Sequence, residues 1–249
     1  TGSSTDYTVS YANGTLLVDP KAITLVADPV SKIYGTTATF NGFRMVDGAL
    51  IKSDGTNFDT MDSTGVGVSS TGASAAANVG NYSLGFTGAL AILDGSAQSV
   101  ASNYKIAYGT TLPNGLTVTP RPITITATTQ TAKVYGQLKN LGTTGFTYID
   151  PTLSATAVVP MGTAIVNGDT LSGATLSSAG AAGTAHAGVY AVGVSNALFS
   201  SGQGSNYAIS YAPGTGALSV NQLAITVAAN DVSKTYGQTA NLSSSAFNV

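Results

Sequence analysis

Large apolar and polar residues alternate along much of the chain with a period of two. Tyr104-x-Ile106-x-Tyr108, Leu116-x-Val118 and Ile123-x-Ile125 each put large side chains on one face of an extended strand. The same pattern appears early, at Tyr7-x-Val9-x-Tyr11, Leu16-x-Val18 and Ile23-x-Leu25, and late, at Tyr207-x-Ile209-x-Tyr211, Leu218-x-Val220 and Ile225-x-Val227. Asn13-Gly14, Asn114-Gly115 and Pro213-Gly214-Thr215-Gly216 interrupt it. Asn-Gly favours positive φ at both central turn positions, so a two-residue hairpin is expected there. Only Asp19-Pro20-Lys21-Ala22, Thr119-Pro120-Arg121-Pro122 or Asn221-Gln222-Leu223-Ala224 separates each second strand from the next. Proline fixes φ and keeps such a connection extended. One unit is therefore expected to run nearly straight into the next, as an elongated rod.

The pattern is repeated. Lys32-Ile33-Tyr34-Gly35 returns as Lys133-Val134-Tyr135-Gly136 and as Lys234-Thr235-Tyr236-Gly237, with the lysines 101 residues apart in both intervals. Gly80-x-Tyr82 returns as Gly188-x-Tyr190 and fits the tyrosine corner of immunoglobulin-like sandwiches. The spacings between blocks differ from copy to copy, as expected when loops vary and strands do not. A period of about 100 residues suits a small independent domain. The expected organisation is the C-terminal hairpin of a preceding repeat at 1–20, complete repeats at 21–120 and 121–221, and the N-terminal part of a following repeat at 222–249. The expected fold is all-β, as tandem immunoglobulin-like β-sandwich repeats. A β-grasp-like sheet is the alternative, because the Ala- and Gly-rich stretches 70–79 and 180–187 could hide a helical turn.

Taken in order, Asn-Tyr-x-Ile-x-Tyr, a Gly turn, Leu-x-Val, Ile-Thr-x-x-Ala and Lys-x-Tyr-Gly resemble the MBG and YDG repeats of large bacterial surface proteins. Val166-Asn167-Gly168-Asp169-Thr170-Leu171-Ser172-Gly173 also fits that family's Asn-Gly-Asp stretch. Residues 45–75 depart from it, with Met45-Val46-Asp47-Gly48 standing where the Asn-Gly-Asp stretch would be. The resemblance implies an extracellular, cell-surface location in filamentous-haemagglutinin-like adhesins exported by two-partner secretion or in biofilm matrix proteins. It supplies no binding residue.

Composition narrows the function. Nine Lys and Arg residues, dispersed along the chain, cannot displace counterions as a nucleic-acid binder must. Glu, Cys and Trp are absent, which excludes disulfides and Cys-based zinc sites and argues against long exposed helices. No apolar stretch is long enough to span a bilayer, so no membrane insertion is expected in this segment. Thr1-Gly2-Ser3-Ser4 lacks the regions of a signal peptide and reads as a cut edge.

Candidate chemistry is sparse. A Ser/His/Asp triad would require His186, the only His, which has no counterpart in the other repeat. Asp54, Asp59 and Asp62 could offer oxygen ligands to Ca²⁺, although their spacing is not that of an EF-hand. Asn13, Asn81 and Asn241 fit the glycosylation pattern. A Lys–Asn crosslink needs an acid; Asp28 precedes Lys32, but Thr129 stands at the matching place before Lys133. Lys-x-Tyr-Gly reads either as a ligand contact or as a structural block in which Tyr packs on the core edge, Lys snorkels and Gly takes an unusual backbone angle. Recurrence favours the structural block. The repeat-motif residues are therefore Lys32, Tyr34, Gly35, Lys133, Tyr135, Gly136, Lys234, Tyr236 and Gly237, with the strand tyrosines Tyr104, Tyr108, Tyr207 and Tyr211. Neither enzyme activity nor a cofactor is expected. The expected role is a structural stalk supporting adhesion or biofilm formation. The alternative is a module that binds extracellular polysaccharide or neighbouring adhesin chains.

Overall fold

The computed structural model describes residues 4–53, 55–109, 115–240, 242 and 247–249. The chain divides into two compact units, Thr1–Thr119 and Pro120–Val249. The first contains β1 (Lys21–Ala27), β2 (Val30–Ile33), β3 (Phe43–Asp47), β4 (Thr60–Asp62), β5 (Val66–Ser69), β6 (Gly80–Tyr82), β7 (Gly85–Gly88), β8 (Ala91–Leu93), β9 (Tyr104–Tyr108) and β10 (Leu116–Thr119). The second contains β11 (Arg121–Ala127), β12 (Lys133–Val134), β13 (Phe146–Ile149), β14 (Val158–Pro160), β15 (Thr170–Ser177), β16 (Gly188–Ser201), β17 (Tyr207–Ala212) and β18 (Gly214–Asn221), with a short pair β19 (Ala228–Ala229) and β20 (Phe247–Asn248) beyond it.

The fold is all-β. Helical structure among the described residues is limited to three-residue 3-10 turns, including one at Ala179–Ala181. A β-grasp sheet would need a longer helix.

The pairings of the two units correspond. In the second, one sheet has the order β14-β13-β11-β17 and the other β12-β18-β16-β15. In the first, β3-β1-β9 and β2-β10-β6 are the matching sheets, and β4-β8 and β5-β7 do in pieces what β15 and β16 do continuously. Immunoglobulin sheets are antiparallel; these are mixed. The first strand runs parallel to the penultimate one, Ile23 opposite Ile106 and Ile123 opposite Ile209. The second runs parallel to the last, Lys32 opposite Val118 and Lys133 opposite Val220.

This corrects the expected hairpins. β9 and β10, like β17 and β18, follow each other in sequence but lie in different sheets. Each has an inward apolar face and finds its partners upstream in the chain rather than in its neighbour. Residues 7–20 carry the same pattern yet form no strand, and Tyr11 and Leu16 are almost fully exposed. An isolated two-stranded ribbon is marginal in water. Asn114 of the second expected turn lies outside the described residues. The Asn-Gly signal is realised elsewhere, at Asn167 (φ +54°) and Gly168 (φ +82°), where Asp169 N–H bonds Val166 O at 2.8 Å. Both central residues have positive φ, as a type I′ turn requires.

Alternating burial builds the cores. β11 buries Arg121, Ile123, Ile125 and Ala127 on one side, while Pro122, Thr124 and Thr126 face outward. β11 lies against β16 and β18 of the opposite sheet, which bury Val192, Leu218 and Val220. In the first unit Ile23, Leu25, Leu90, Ile92 and Tyr104 form one buried cluster, and Ala27, Leu84 and Leu116 another, with Phe86 packed against both.

Candidate functional site

Lys32, Lys133 and the strand tyrosines are structural ties, and each kind of tie occurs in both units. Lys32 and Lys133 are buried, not snorkelling to water as expected. The Lys32 ammonium donates to Thr36 O at 2.9 Å and to Ser74 O; that of Lys133 donates to Gln137 O at 2.7 Å and to Ala182 O. One acceptor closes the local turn, and the other lies on the Ala- and Gly-rich segment that leads into β6 or β16. Charge-assisted bonds of this kind are stronger than neutral ones. Burial holds the Lys32 amine below its usual pKa.

Gly35, Gly136 and Gly237 have φ of +87°, +88° and +88°. Each sits at the third position of a turn closed by Thr36 N–Ile33 O, Gln137 N–Val134 O or Gln238 N–Thr235 O, all 3.1 Å. That is the type II position where glycine is favoured. The third turn forms although Lys234 and Tyr236 are exposed, so its geometry is local. Tyr34 is buried, whereas Tyr135 is 42% exposed and stacks on the His186 ring at 6.3 Å between centroids.

The strand tyrosines are ties of a second kind. Tyr104 Oη donates to Asp59 Oδ2 at 2.6 Å, and Tyr207 Oη donates to Asp169 Oδ2 at 2.7 Å. Tyr104 Oη also accepts from Ile51 N at 2.9 Å. Desolvation, then the hydrogen bond to Asp59, raises the Tyr104 pKa. The hydroxyls of Tyr108 and Tyr211 accept from Leu90 N and Ala197 N at 2.8 and 2.9 Å. Tyr82 and Tyr190 form the tyrosine corners, bonding Asn78 O at 2.8 Å and His186 O at 3.0 Å, four residues upstream in each case.

The Asp59–Tyr104 bond relocates a correspondence. Asp59, not Asp47, is the counterpart of Asp169, because each carboxylate receives the hydroxyl of the first tyrosine in the penultimate strand. The dipeptides Asp59-Thr60 and Asp169-Thr170, each leading into a strand, carried that signal. Calcium ligation by the Asp cluster is thereby displaced. Asp59 is buried, with Oδ1 accepting from Ser53 N and Oγ at 3.2 and 2.5 Å. Asp62 instead caps the turn at Thr64 N, 3.0 Å away, and that bond lowers its pKa. Asp54 lies outside the described residues. Among the described residues no three His, Asp or Glu side chains come together.

Other candidates are placed as plainly. Asp28 pairs with Arg44 rather than with Lys32. Asn81 is exposed and accepts from Thr117 Oγ1 at 3.1 Å, Asn13 lies in the exposed strandless segment, and Asn241 is outside the described residues. Two features went unread in the sequence. Arg121 and Asp150 form a buried ion pair, Nε to Oδ2 at 2.6 Å, found among the described residues in the second unit alone; the exposed Lys21 stands at the register position of Arg121 in the first. Beside it is an apolar cleft of about 200 Å³ lined by Tyr148, Leu153, Ala157, Val159 and Ile165. Burial and the nearby Asp150 charge raise the Tyr148 pKa.

Residues 123–217 match the MBG domain, YGX type. The match covers the span from β11 into β18, so the body of the second unit is similar to MBG domains, which are repeat modules of extracellular proteins. The first unit shares its pairings and its lysine, tyrosine and aspartate ties. No curated protein and no solved structure matches the chain. No helix among the described residues is long and apolar enough to cross a membrane.

Proposed function

We propose that the chain is a stretch of an extracellular, cell-surface stalk, built from MBG-type units, that extends an adhesive region and supports cell adhesion or biofilm formation. One observation carries this reading. The polar residues that recur between units are engaged with the fold itself: lysine to backbone carbonyls, and tyrosine to a buried aspartate. A module whose repeated residues serve its own architecture contributes length and spacing, and its stability is largely its own. In the full-length protein, deleting residues 121–221 should shorten the projected fibre by one domain length and leave adhesion intact. Loss of all adhesion with unchanged fibre length would overturn the proposal.

A second reading has one observation in its favour. The half-exposed Tyr135 ring borders an open cleft with Gln222, Leu223 and Ile225. An exposed aromatic face beside an amide suits stacking on a sugar ring. A glycan array on the 249-residue chain tests it; retention of no saccharide would sink this alternative.

A further inference from the structure

Chain connectivity fixes how tension would enter each unit. It arrives at the first strand and leaves at the last. In the second unit these ends are β11 and β18, and neither is bonded to its obvious neighbour in sequence. β11 runs parallel to β17 over Arg121–Thr126, and β12 runs parallel to β18. The bonding between the β12 and β18 segments reaches from Gln130 N–Ala217 O at 2.7 Å to Tyr135 N–Asn221 O at 2.9 Å. The first unit repeats this, from Val30 N–Gly115 O at 2.8 Å to Tyr34 N–Thr119 O at 2.9 Å.

Two parallel strands pulled from opposite ends of the chain slide past each other along their length. Every hydrogen bond between them is then loaded at once. An antiparallel pair pulled apart at one end opens bond by bond, and each bond is worth only about 1 kcal/mol net. The lysines reinforce the parallel pair. Lys32 and Lys133 lie on β2 and β12, one flank of the last strand. Their ammoniums reach Ser74 O and Ala182 O, on the segments that lead into β6 and β16, the other flank. The last strand is thus held from both sides, and the two sides are tied to each other.

We propose that each unit is a load-bearing clamp, in which tension along the chain shears the two parallel strand pairs and the Lys32 or Lys133 ammonium locks the outer pair. The clamp deepens the stalk reading and rests on it only for its use at a cell surface. Resistance to force is set by the unfolding barrier, which makes it measurable apart from adhesion.

The test is single-molecule pulling on the whole chain, through handles on introduced cysteines, since the chain has none of its own. Pulled from its two ends, the chain should give two unfolding events. Cysteines at the exposed Ser172 and Ser200 load only the second unit and peel β15 from β16, starting near the Thr170–Ser201 end of that antiparallel pair. The second unit should then yield at a several-fold lower force, at the same loading rate. Lys133→Met should lower one of the two end-to-end events and leave the other unchanged. Equal forces in the two directions would overturn the clamp, as would a Lys133→Met chain in which both events fall or neither does. The comparison of directions keeps the lysines intact, so it decides even where Lys133→Met does not fold. Fibre length and adhesion after deletion of residues 121–221 judge the stalk reading separately.

Discussion

Replacing Asp150 by Ala should destabilise the second unit severely and leave the first untouched. Arg121 and Asp150 are 2% and 3% exposed, so removing the carboxylate takes the opposite charge away from a guanidinium in the core. Asp150 receives Arg121 Nε at 2.6 Å, Thr152 Oγ1 at 2.6 Å and Thr152 N at 3.0 Å. Breaking one partner of a buried pair costs about 3–5 kcal/mol. A domain is stable by only about 5–15 kcal/mol, so the loss is a third or more of the total in most of that range. At about 4–8 °C per kcal/mol for a domain of this size, the midpoint should fall by at least about 12 °C. The surface pair Arg44–Asp28 is the control. Its side chains are 56% and 32% exposed, and Asp28→Asn should cost at most about 1 kcal/mol. Replacing both core partners together, as Arg121→Met with Asp150→Leu, should recover most of the loss, because a packed apolar pair spares the desolvation of two charges. Urea unfolding followed by circular dichroism, with separate transitions for the two units, measures all three costs, and a thermal scan gives the midpoint shift. An Asp150→Ala cost below about 1 kcal/mol would refute the premise that burial makes this pair costly to break.

Gly180→Ala should cost about 1–3 kcal/mol, because the added Cβ would lie 2.6 Å from the Tyr190 ring, which its hydroxyl fixes to His186 O. Gly136→Ala meets nothing within 4 Å, so its cost should be about 1–2 kcal/mol of backbone strain alone, from φ +88°; equal midpoints for both variants and the parent would contradict both estimates. Tyr190→Phe should lose about 0.5–1.5 kcal/mol through the corner hydrogen bond, read from the same urea curves. Alkaline pH should destabilise the fold. Tyr104 and Tyr148 have raised pKa values when folded, so their contribution is complete below the unfolded value of about 10 and is lost as pH rises through the folded values. Lys32 works in the opposite sense: its lowered folded pKa makes stability rise with pH in the window below about 10.5. A stability profile that climbs slightly and then falls above pH 10 is expected, with a shallower fall in Tyr104→Phe; an unchanged fall in that variant would count against the assignment.

What was legible in the sequence was whatever short-range rules decide. The Tyr-Gly turns depend on one glycine at positive φ, and the third copy forms even where Tyr236 is fully exposed. The tyrosine corners span four residues and were visible as Gly-x-Tyr. Strand positions followed from alternation, as β11 shows residue by residue. Pairing was not legible, because alternation says that a strand has an inward face but not which strand lies beside it. Both Tyr104–Tyr108 and Leu116–Thr119 needed apolar cover, and adjacency suggested they cover each other; the sandwich instead gives them to opposite sheets. The long-range polar ties were hidden for the same reason. Asp59 and Tyr104 are 45 residues apart, Asp169 and Tyr207 only 38, so no fixed spacing announces the bond. The lysine's role was half legible: its recurrence pointed to architecture, but a lone cation in a strand ordinarily reaches for water. It turns inward here because two carbonyls, one four residues on and one more than forty residues on, converge where the Gly turn meets the Ala- and Gly-rich segment. A small-residue stretch that looked like a helix in disguise is therefore better understood as the backbone that must come close enough to receive that ammonium.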